Sequence, residues 1–517
     1  MNGANALIRT LVDAGVDVCF ANPGTSEMHF VAALDDVPQM RGVLGLFEGV
    51  VTGAADGYGR MAGKPAATLL HLGPGLGNGL ANLHNARRAG SPIVNVVGDH
   101  ATYHLQYDAQ LTSDIETVAR NVSSWIKVPQ RTADVATAAA EAVAAASVPP
   151  GAVATLILPA DVSWSEGGEP AAPQATPTRA AVADDAVESV AKLLTSGEPV
   201  VLLLGGDAFH EPALSDASRI SQATGARLLG ETFPTRLERG AGRASVERLG
   251  YLGEFALAQL DGTRHLVLVG AKTPVSFFAY PDKPSLLVPD GCEVHTLAGP
   301  GDDITGALAA LAERVADGAG PLLEAAARPD RPTGPLTGET VAAAVGALLP
   351  EGAIVSDESN TAGLWLTAAT AGAPKHDWLT LTGGAIGQGM PVATGAAVAC
   401  PDRPVVNLQA DGSAMYTIQS LWTQARENLD VTTVIFANRS YAILNMELHR
   451  VGADEGGTRA KDMLDIGRPD LDFVALATGM GVPAVSCTDA EDFASQLERS
   501  LAEPGPHLIE AVLPDRL

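Results

Sequence analysis

Aromatic residues are scarce, at 4% of 517 positions, while 46% of the chain is hydrophobic. The apolar share is therefore largely aliphatic. With abundant Ala and Gly it favours closely packed helices and sheets over disorder. Basic charge is equally short: 33 Lys and Arg face 60 Asp and Glu, for a net charge of −27. That balance argues against nucleic acid or an anionic membrane as partner and fits a solvated acidic surface. Only four cysteines occur, Cys19, Cys292, Cys400 and Cys487, and they lack metal-ligand spacing. Lying on apolar runs, they read as buried thiols in a reducing cytoplasm. No apolar run reaches the roughly 18 residues of a membrane helix. Met1 to Arg9 lacks the basic and apolar regions of a signal peptide. A cytoplasmic location is expected.

Two Pro/Ala-rich stretches, Ser165 to Arg179 and Gly318 to Gly338, read as surface linkers. They divide the chain into expected domains at 1–165, 180–320 and 336–517. Each segment alternates β-rich runs with helical patterns, the signature of parallel sheets. Strands are expected at Asp17 to Phe20, Thr68 to Leu72, Ile93 to Val97 and Ala154 to Leu158 in the first segment. The second offers Val200 to Leu204, Ala226 to Leu229 and His265 to Val269. The third offers Ile354 to Ser356, Val405 to Gln409, Thr433 to Ala437 and His507 to Val512. The fold class is α/β, with three doubly wound parallel-sheet domains.

Asp411-Gly412-Ser413 follows one apolar strand and Asn438 ends the next. A carboxylate and an amide carbonyl at the ends of two parallel strands suit a hard divalent cation. The N–H groups of Gly412 and Ser413 at a helix start suit a phosphate. Together they describe a site for a metal-bound diphosphate. Upstream, Glu48 follows the apolar run Gly42 to Phe47 and opens a helix, where it is either a simple cap or a buried functional carboxylate. The Gly-rich segment Gly73-Pro74-Gly75-Leu76-Gly77-Asn78-Gly79 tempts a dinucleotide-binding reading, with Asp99 as the ribose acid. The strict glycine spacing fails, however: the third glycine is Asn78 or Leu80, depending on the start.

Glu48, the Ala55-Asp56-Gly57-Tyr58-Gly59-Arg60 helix, the Gly-rich turn and Asp411-Gly412-Ser413 with Asn438 together resemble the thiamine-diphosphate-dependent decarboxylase and acetolactate synthase superfamily. The likeness spans essentially the whole chain in the order pyrimidine, central and diphosphate domain. Asn22-Pro23-Gly24-Thr25-Ser26-Glu27, His71 and Phe233-Pro234-Thr235-Arg236 resemble benzoylformate decarboxylase and its acetolactate-synthase-like relatives.

The resemblance implies thiamine diphosphate and Mg²⁺ as cofactors, the metal held by Asp411, Asn438 and the Ser440 carbonyl. It implies that Glu48 contacts the aminopyrimidine and that the C2 ylid attacks the keto carbon of a 2-oxo acid. His71 would then be a proton donor or substrate contact, and Thr25 a hydroxyl that holds the substrate carboxylate. Further cofactor contacts fall on Gly24 and Asn78, on Ser359, Asn360 and Thr361, and on Gly384 and Ile386, the latter as an apolar wedge between the two rings. Gly412, Ser413 and Ala414 would hold the diphosphate, with Tyr441, Ala442 and Ile443 beside them. Leu444 and Met446 would help shape the substrate pocket.

Departures from the family pattern narrow the chemistry. Ala410 and Ala437 replace a glycine and an asparagine without removing a metal ligand. Asp108-Ala109-Gln110-Leu111-Thr112 stands where acetolactate synthases carry Phe-Gln-Glu. Ala279 takes the place of a second catalytic histidine; His100 and His104 read either as substitute acids or as surface-loop histidines. Gly205-Gly206 and Arg236 form no convincing flavin pattern, so FAD is not expected. The expected activity is decarboxylation or carboligation of a 2-oxo acid. Acetolactate synthesis is the alternative, and a non-catalytic cofactor-binding homologue is the reading from a different class. The expected assembly is a homodimer or homotetramer with the active site between subunits.

Overall fold

The structure, a computed structural model, describes residues 1–453 and 457–514; the last three residues of the third expected domain lie outside it. Three sheets organise the chain. The first contains, in spatial order, Arg41–Leu44, Val18–Asn22, Ala66–Leu70, Ile93–Asp99, Val153–Pro159 and Trp125–Lys127, all parallel. The central sheet runs Glu247–Arg248, Arg227–Gly230, Val200–Leu204, His265–Val269 and Glu293–Ala298. The third runs Ala484–Cys487, His507–Val512, Val431–Ala437, Val405–Ala410, Ile354–Glu358, His376–Thr380 and Leu237–Arg239.

The sheets are parallel as expected, and that last strand is an antiparallel addition to one of them. Leu237–Arg239 comes from the segment expected to form the central domain, yet it pairs antiparallel with His376–Thr380 of the third sheet. Arg236 fastens the junction, with Nε 2.8 Å from Asp377 Oδ1. Short or polar strands escaped the sequence reading, among them Arg41–Leu44, Glu293–Ala298 and His376–Thr380. The strand expected at Thr68 to Leu72 ends at Leu70: Leu72, at φ 54°, already begins the helix Leu72–Ala89. Cys19 and Cys487 are buried as expected, but Cys292 and Cys400 are only partly so.

The first and third sheets meet through two helices, Glu48–Ala62 and Gly389–Ala399. Glycine makes the approach possible, since side chains would hold the backbones apart. A Cβ on Gly57 would stand 2.1 Å from the Val392 carbonyl oxygen, and one on Gly395 would stand 1.8 Å from that of Ala54. A fully buried ion pair bolts the same junction. Arg60 donates from Nη2 to Asp56 Oδ2 at 2.7 Å and from Nη1 to the Thr380 carbonyl at 2.8 Å. The Gln388 amide reaches Asp56 Oδ2 at 2.6 Å. Asp56, Gly57 and Arg60 of the quoted motif thus join the two sheets.

Candidate active site

In open parallel sheets, ligands bind beyond the carboxyl ends of the strands where the strand order reverses. In the first sheet that point lies between Val18–Asn22 and Ala66–Leu70, and the residues that follow these strands include Gly24 and His71. In the third it lies between Ile354–Glu358 and Val405–Ala410, directly followed by Ser359 and Asp411. Topology alone therefore brings two groups of the expected residues to two crevices. In the central sheet the equivalent strand ends touch: a Cβ on Gly205 would stand 2.8 Å from the Gly270 carbonyl oxygen.

Glu48 is the first residue of its helix and 7% exposed. Its Oε2 accepts from Nδ2 of the exposed Asn78 at 3.0 Å. A Cβ on Gly75 would come within 3.0 Å of Glu48 Oε1, and one on Gly79 within 2.8 Å of Thr52. The glycines that tempted a dinucleotide reading instead let two helices approach.

His71 caps the helix Leu72–Ala89, with its side chain partly exposed. Its Nδ1 lies 2.8 Å from Oε2 of Glu27. A carboxylate there favours the tautomer with the proton on Nδ1, leaving Nε2 free to accept or deliver one. Glu27 itself is 2% exposed, and Oε2 also accepts the Gly24 N–H at 2.7 Å. Burial raises its pKa above the ordinary carboxylate value, while the Gly24 N–H and His71 pull it back. The sequence reading quoted Glu27 within a motif but gave it no role. Gly24 lies so close to His71 that a Cβ would enter the ring. Thr25 is exposed at the start of the turn Thr25–Glu27.

In the third sheet, Asp411 is buried at the start of the helix Asp411–Thr417. Oδ1 accepts from Gly412 N–H at 2.8 Å and Oδ2 from Arg439 N–H at 2.6 Å. Burial raises its pKa, and these amides oppose the shift. Arg439 adopts a left-handed backbone, φ 56°, immediately after Asn438. Asn438 Oδ1 accepts the Ser440 N–H at 3.1 Å. Asn360 donates to Ser413 Oγ at 3.4 Å, bringing two expected cofactor contacts together. Tyr441 packs on Gly412, where a Cβ would lie 2.4 Å from its ring. Ala414 is buried; Thr361, Ala442 and Ile443 are half-buried. Ser359 is turned inward: its N–H and hydroxyl both donate to Asp357 Oδ1, at 3.1 and 2.6 Å.

Between the two groups runs the loop Gly383 to Gln388. The first sheet's long helix clamps it: Asn85 bonds both N–H and C=O of Ala385, and Asn82 reaches the Gly387 carbonyl at 3.2 Å. From the other side Glu358 accepts the N–H groups of Gly387 and Gly389, each at 2.6 Å, and the Gln409 amide at 2.9 Å. Burial pushes the Glu358 carboxyl up to about 7. Ile386, held at the loop's middle, is half-buried and outside the hydrophobic core. Gly384 lies against Phe277, so the Pro274 to Tyr280 segment, with the exposed Ala279, borders this loop. Gln110 is also exposed, whereas His100 keeps a buried Nε2 without a hydrogen-bond partner among the described residues. Asn82 and Asn85 were missed by sequence reasoning, and Glu358, like Glu27, stood within a quoted segment without a role of its own; an Asn pair three apart on a helix face was the local signal for the first two.

Comparison with known proteins identifies the family. Residues 1–122 match the family described as "Thiamine pyrophosphate enzyme, N-terminal TPP binding domain", and residues 361–511 match its "C-terminal TPP binding domain". The Mycobacterium tuberculosis protein named "Putative acetolactate synthase large subunit IlvX" is 65% identical over 99% of both chains. The benzoylformate decarboxylase of Pseudomonas aeruginosa is 32% identical over 96% of each. Among solved structures, the thiamine diphosphate-dependent 4-hydroxybenzoylformate decarboxylase of Rhodococcus jostii RHA1 superposes with a TM-score of 0.86 at 25% identity, covering 99% of both chains. Two family matches and a relative of this identity settle the lineage: the chain belongs to the thiamine pyrophosphate-dependent enzymes, related to benzoylformate decarboxylase and acetolactate synthase.

Proposed function

We propose that the protein is a thiamine-diphosphate- and Mg²⁺-dependent decarboxylase or carboligase of a 2-oxo acid. The observation that carries this reading is the donor set of the third-sheet crevice. Asp411, Asn438 and the Ser440 carbonyl are all oxygen donors, at the ends of the adjacent parallel strands Val405–Ala410 and Val431–Ala437, the chemistry a hard cation requires. Beside them, the first turn of the helix Asp411–Thr417 presents backbone N–H groups suited to a diphosphate. The residues present therefore fit both groups.

Bound there, thiamine diphosphate supplies a carbon nucleophile and an electron sink for decarboxylation. Glu48, buried and oriented by Asn78, would hold or release a proton at the pyrimidine. Ile386, fixed by the clamps on its loop, would set the cofactor's shape. His71, with Nδ1 engaged by Glu27, would move a proton through Nε2 at the substrate. Thr25 offers its hydroxyl to the substrate carboxylate.

The three domains are read as 1–165, 180–320 and 336–517, with Leu237–Arg239 as the arm that reaches the third sheet. Flavin forms no part of this reading. Exposed Leu46, Leu364, Met415, Tyr416 and Leu444 near both crevices support a homodimer or homotetramer in which a second copy completes the site. A cytoplasmic location accompanies this reading; among the described residues, no helix is long and apolar enough to cross a membrane.

The deciding experiment incubates cofactor-loaded protein with a panel of aliphatic and aromatic 2-oxo acids, recording CO₂ and products. Aldehyde plus CO₂ from one acid supports decarboxylation, whereas an acetohydroxy acid from pyruvate supports acetolactate synthesis. Cofactor binding with no turnover of any acid would overturn both.

A further inference from the structure

The edge of the central sheet carries a cluster that the chemistry above does not use. His265 and Glu293 are direct partners in the parallel pairing of His265–Val269 with Glu293–Ala298. His295 stands two residues beyond Glu293, and since side chains alternate along a strand, the three share one face. Their ligand atoms converge. His265 Nδ1 lies 3.1 Å from His295 Nε2 and 3.9 Å from Glu293 Oε2, and the last two are 3.8 Å apart. Ligands on a tetrahedral zinc, at about 2.0–2.2 Å from the metal, stand about 3.3–3.5 Å from one another. The observed triangle needs only small side-chain adjustment to match, and the Glu293 side chain, 70% exposed, is free to make it.

A second observation points the same way. The other nitrogen of His265, Nε2, lies 2.8 Å from Oε2 of Glu198. Histidines that bind metals characteristically give their remaining N–H to a carboxylate, which fixes the tautomer and aims the free lone pair at the ion. Here that pairing leaves Nδ1, the atom facing His295 and Glu293, as the lone-pair nitrogen. His265 is itself buried, which holds its ring in place, while His295 and Glu293 reach solvent and give an ion access.

We propose that His265, Glu293 and His295 bind a divalent transition metal of the zinc class, with Glu198 as the orienting carboxylate and water completing the coordination. Two imidazoles and one carboxylate select such an ion over Mg²⁺, which prefers oxygen ligands in an octahedron. The ion would pin the edge strand Glu293–Ala298 to its neighbour, as a staple outside the active site.

The test uses untagged, cofactor-loaded protein in excess Mg²⁺, so that the Asp411 site does not compete. Zn²⁺ is titrated by calorimetry and the retained metal counted after dialysis; Co²⁺ is added separately and its visible spectrum recorded. One Zn²⁺ per chain, four-coordinate Co²⁺ bands and a raised Tm on adding Zn²⁺ are expected. His295→Ala and Glu293→Gln, both on accessible side chains, should weaken binding at least tenfold, and Glu198→Gln by about tenfold. Cys292→Ser should leave it unchanged. Absence of stoichiometric uptake, equal uptake by His295→Ala, or loss of uptake in Cys292→Ser would each overturn the proposal.

Discussion

Oε2 of Glu27 stands 2.8 Å from Nδ1 of His71 and accepts the Gly24 N–H as well, so one buried carboxylate orients both the imidazole and the loop beneath it. Glu27→Ala should leave His71 without its partner and lower kcat by about 10²-fold, within the range of a general acid–base contribution. Affinity for thiamine diphosphate should change little. Steady-state kinetics beside a cofactor titration checks this, and an unchanged kcat would remove Glu27 from the reaction's support.

Glu48→Gln preserves the side chain's shape and its contact with Asn78 while removing the exchangeable carboxyl proton. Exchange of the cofactor's C2 proton, followed by NMR, should slow by about 10²-fold or more. Cofactor binding should persist. Normal exchange in this variant would sink the role assigned to Glu48.

Asp56 and Arg60 are both buried, with side chains at 0% exposure. Asp56→Ala would strand the guanidinium without its counter-charge, at a cost of about 3–5 kcal/mol. A denaturant titration should report that loss, and a shift below about 1 kcal/mol would mean that the carbonyl of Thr380 suffices for Arg60.

Gly57→Ala places a methyl where the Val392 carbonyl oxygen sits, 2.1 Å from the new Cβ. The helices Glu48–Ala62 and Gly389–Ala399 must then separate, costing about 1–3 kcal/mol or more. Since both helices begin beside candidate site residues, Tm and cofactor affinity should fall together. A stable variant with reduced affinity would show that spacing, not stability, is what the glycine protects.

Glu358 gives a pH signature. Burial raises its folded-state pKa to about 7 from the ordinary 4.5, so the folded state holds the proton more tightly than the unfolded chain. Its stabilising contribution is whole below pH 4.5, declines as pH rises between the two values, and is lost above about 7. Stability measured by urea denaturation across that window should carry this slope in the native protein and lose it in Glu358→Gln. The same variant sets an amide NH₂ against the N–H of Gly387 or Gly389, so it should lose about 1–3 kcal/mol at neutral pH. Identical slopes for the two proteins would assign the pH dependence elsewhere.

Strands that are apolar along their whole length were legible from sequence, because parallel strands buried on both faces must be apolar at every position. Val200–Leu204 follows that rule throughout and His265–Val269 does after its first residue; both match expectation at both ends. Glu293–Ala298 and His376–Thr380 do not follow it, because the first is a half-exposed edge and the second buries the polar side chains of His376, Asp377 and Thr380. Leu237–Arg239 was invisible for a different reason: three residues carry no periodicity, and their partner strand lies far away in the chain.

The sequence by itself determined the chemistry's inventory: a carboxylate, an amide and a carbonyl for a hard cation at Asp411, Asn438 and Ser440, and a helix-opening Glu48. These rest on residue type and on local strand-to-helix turns, which short stretches of chain dictate. Only the tertiary structure decided what holds them. Glu27 under His71, Asn82 and Asn85 on the Gly383 to Gln388 loop, and Glu358 behind it act across sheets. Such pairings leave no local pattern, because a hydrogen bond between distant segments depends on how the sheets pack and not on the neighbours in sequence.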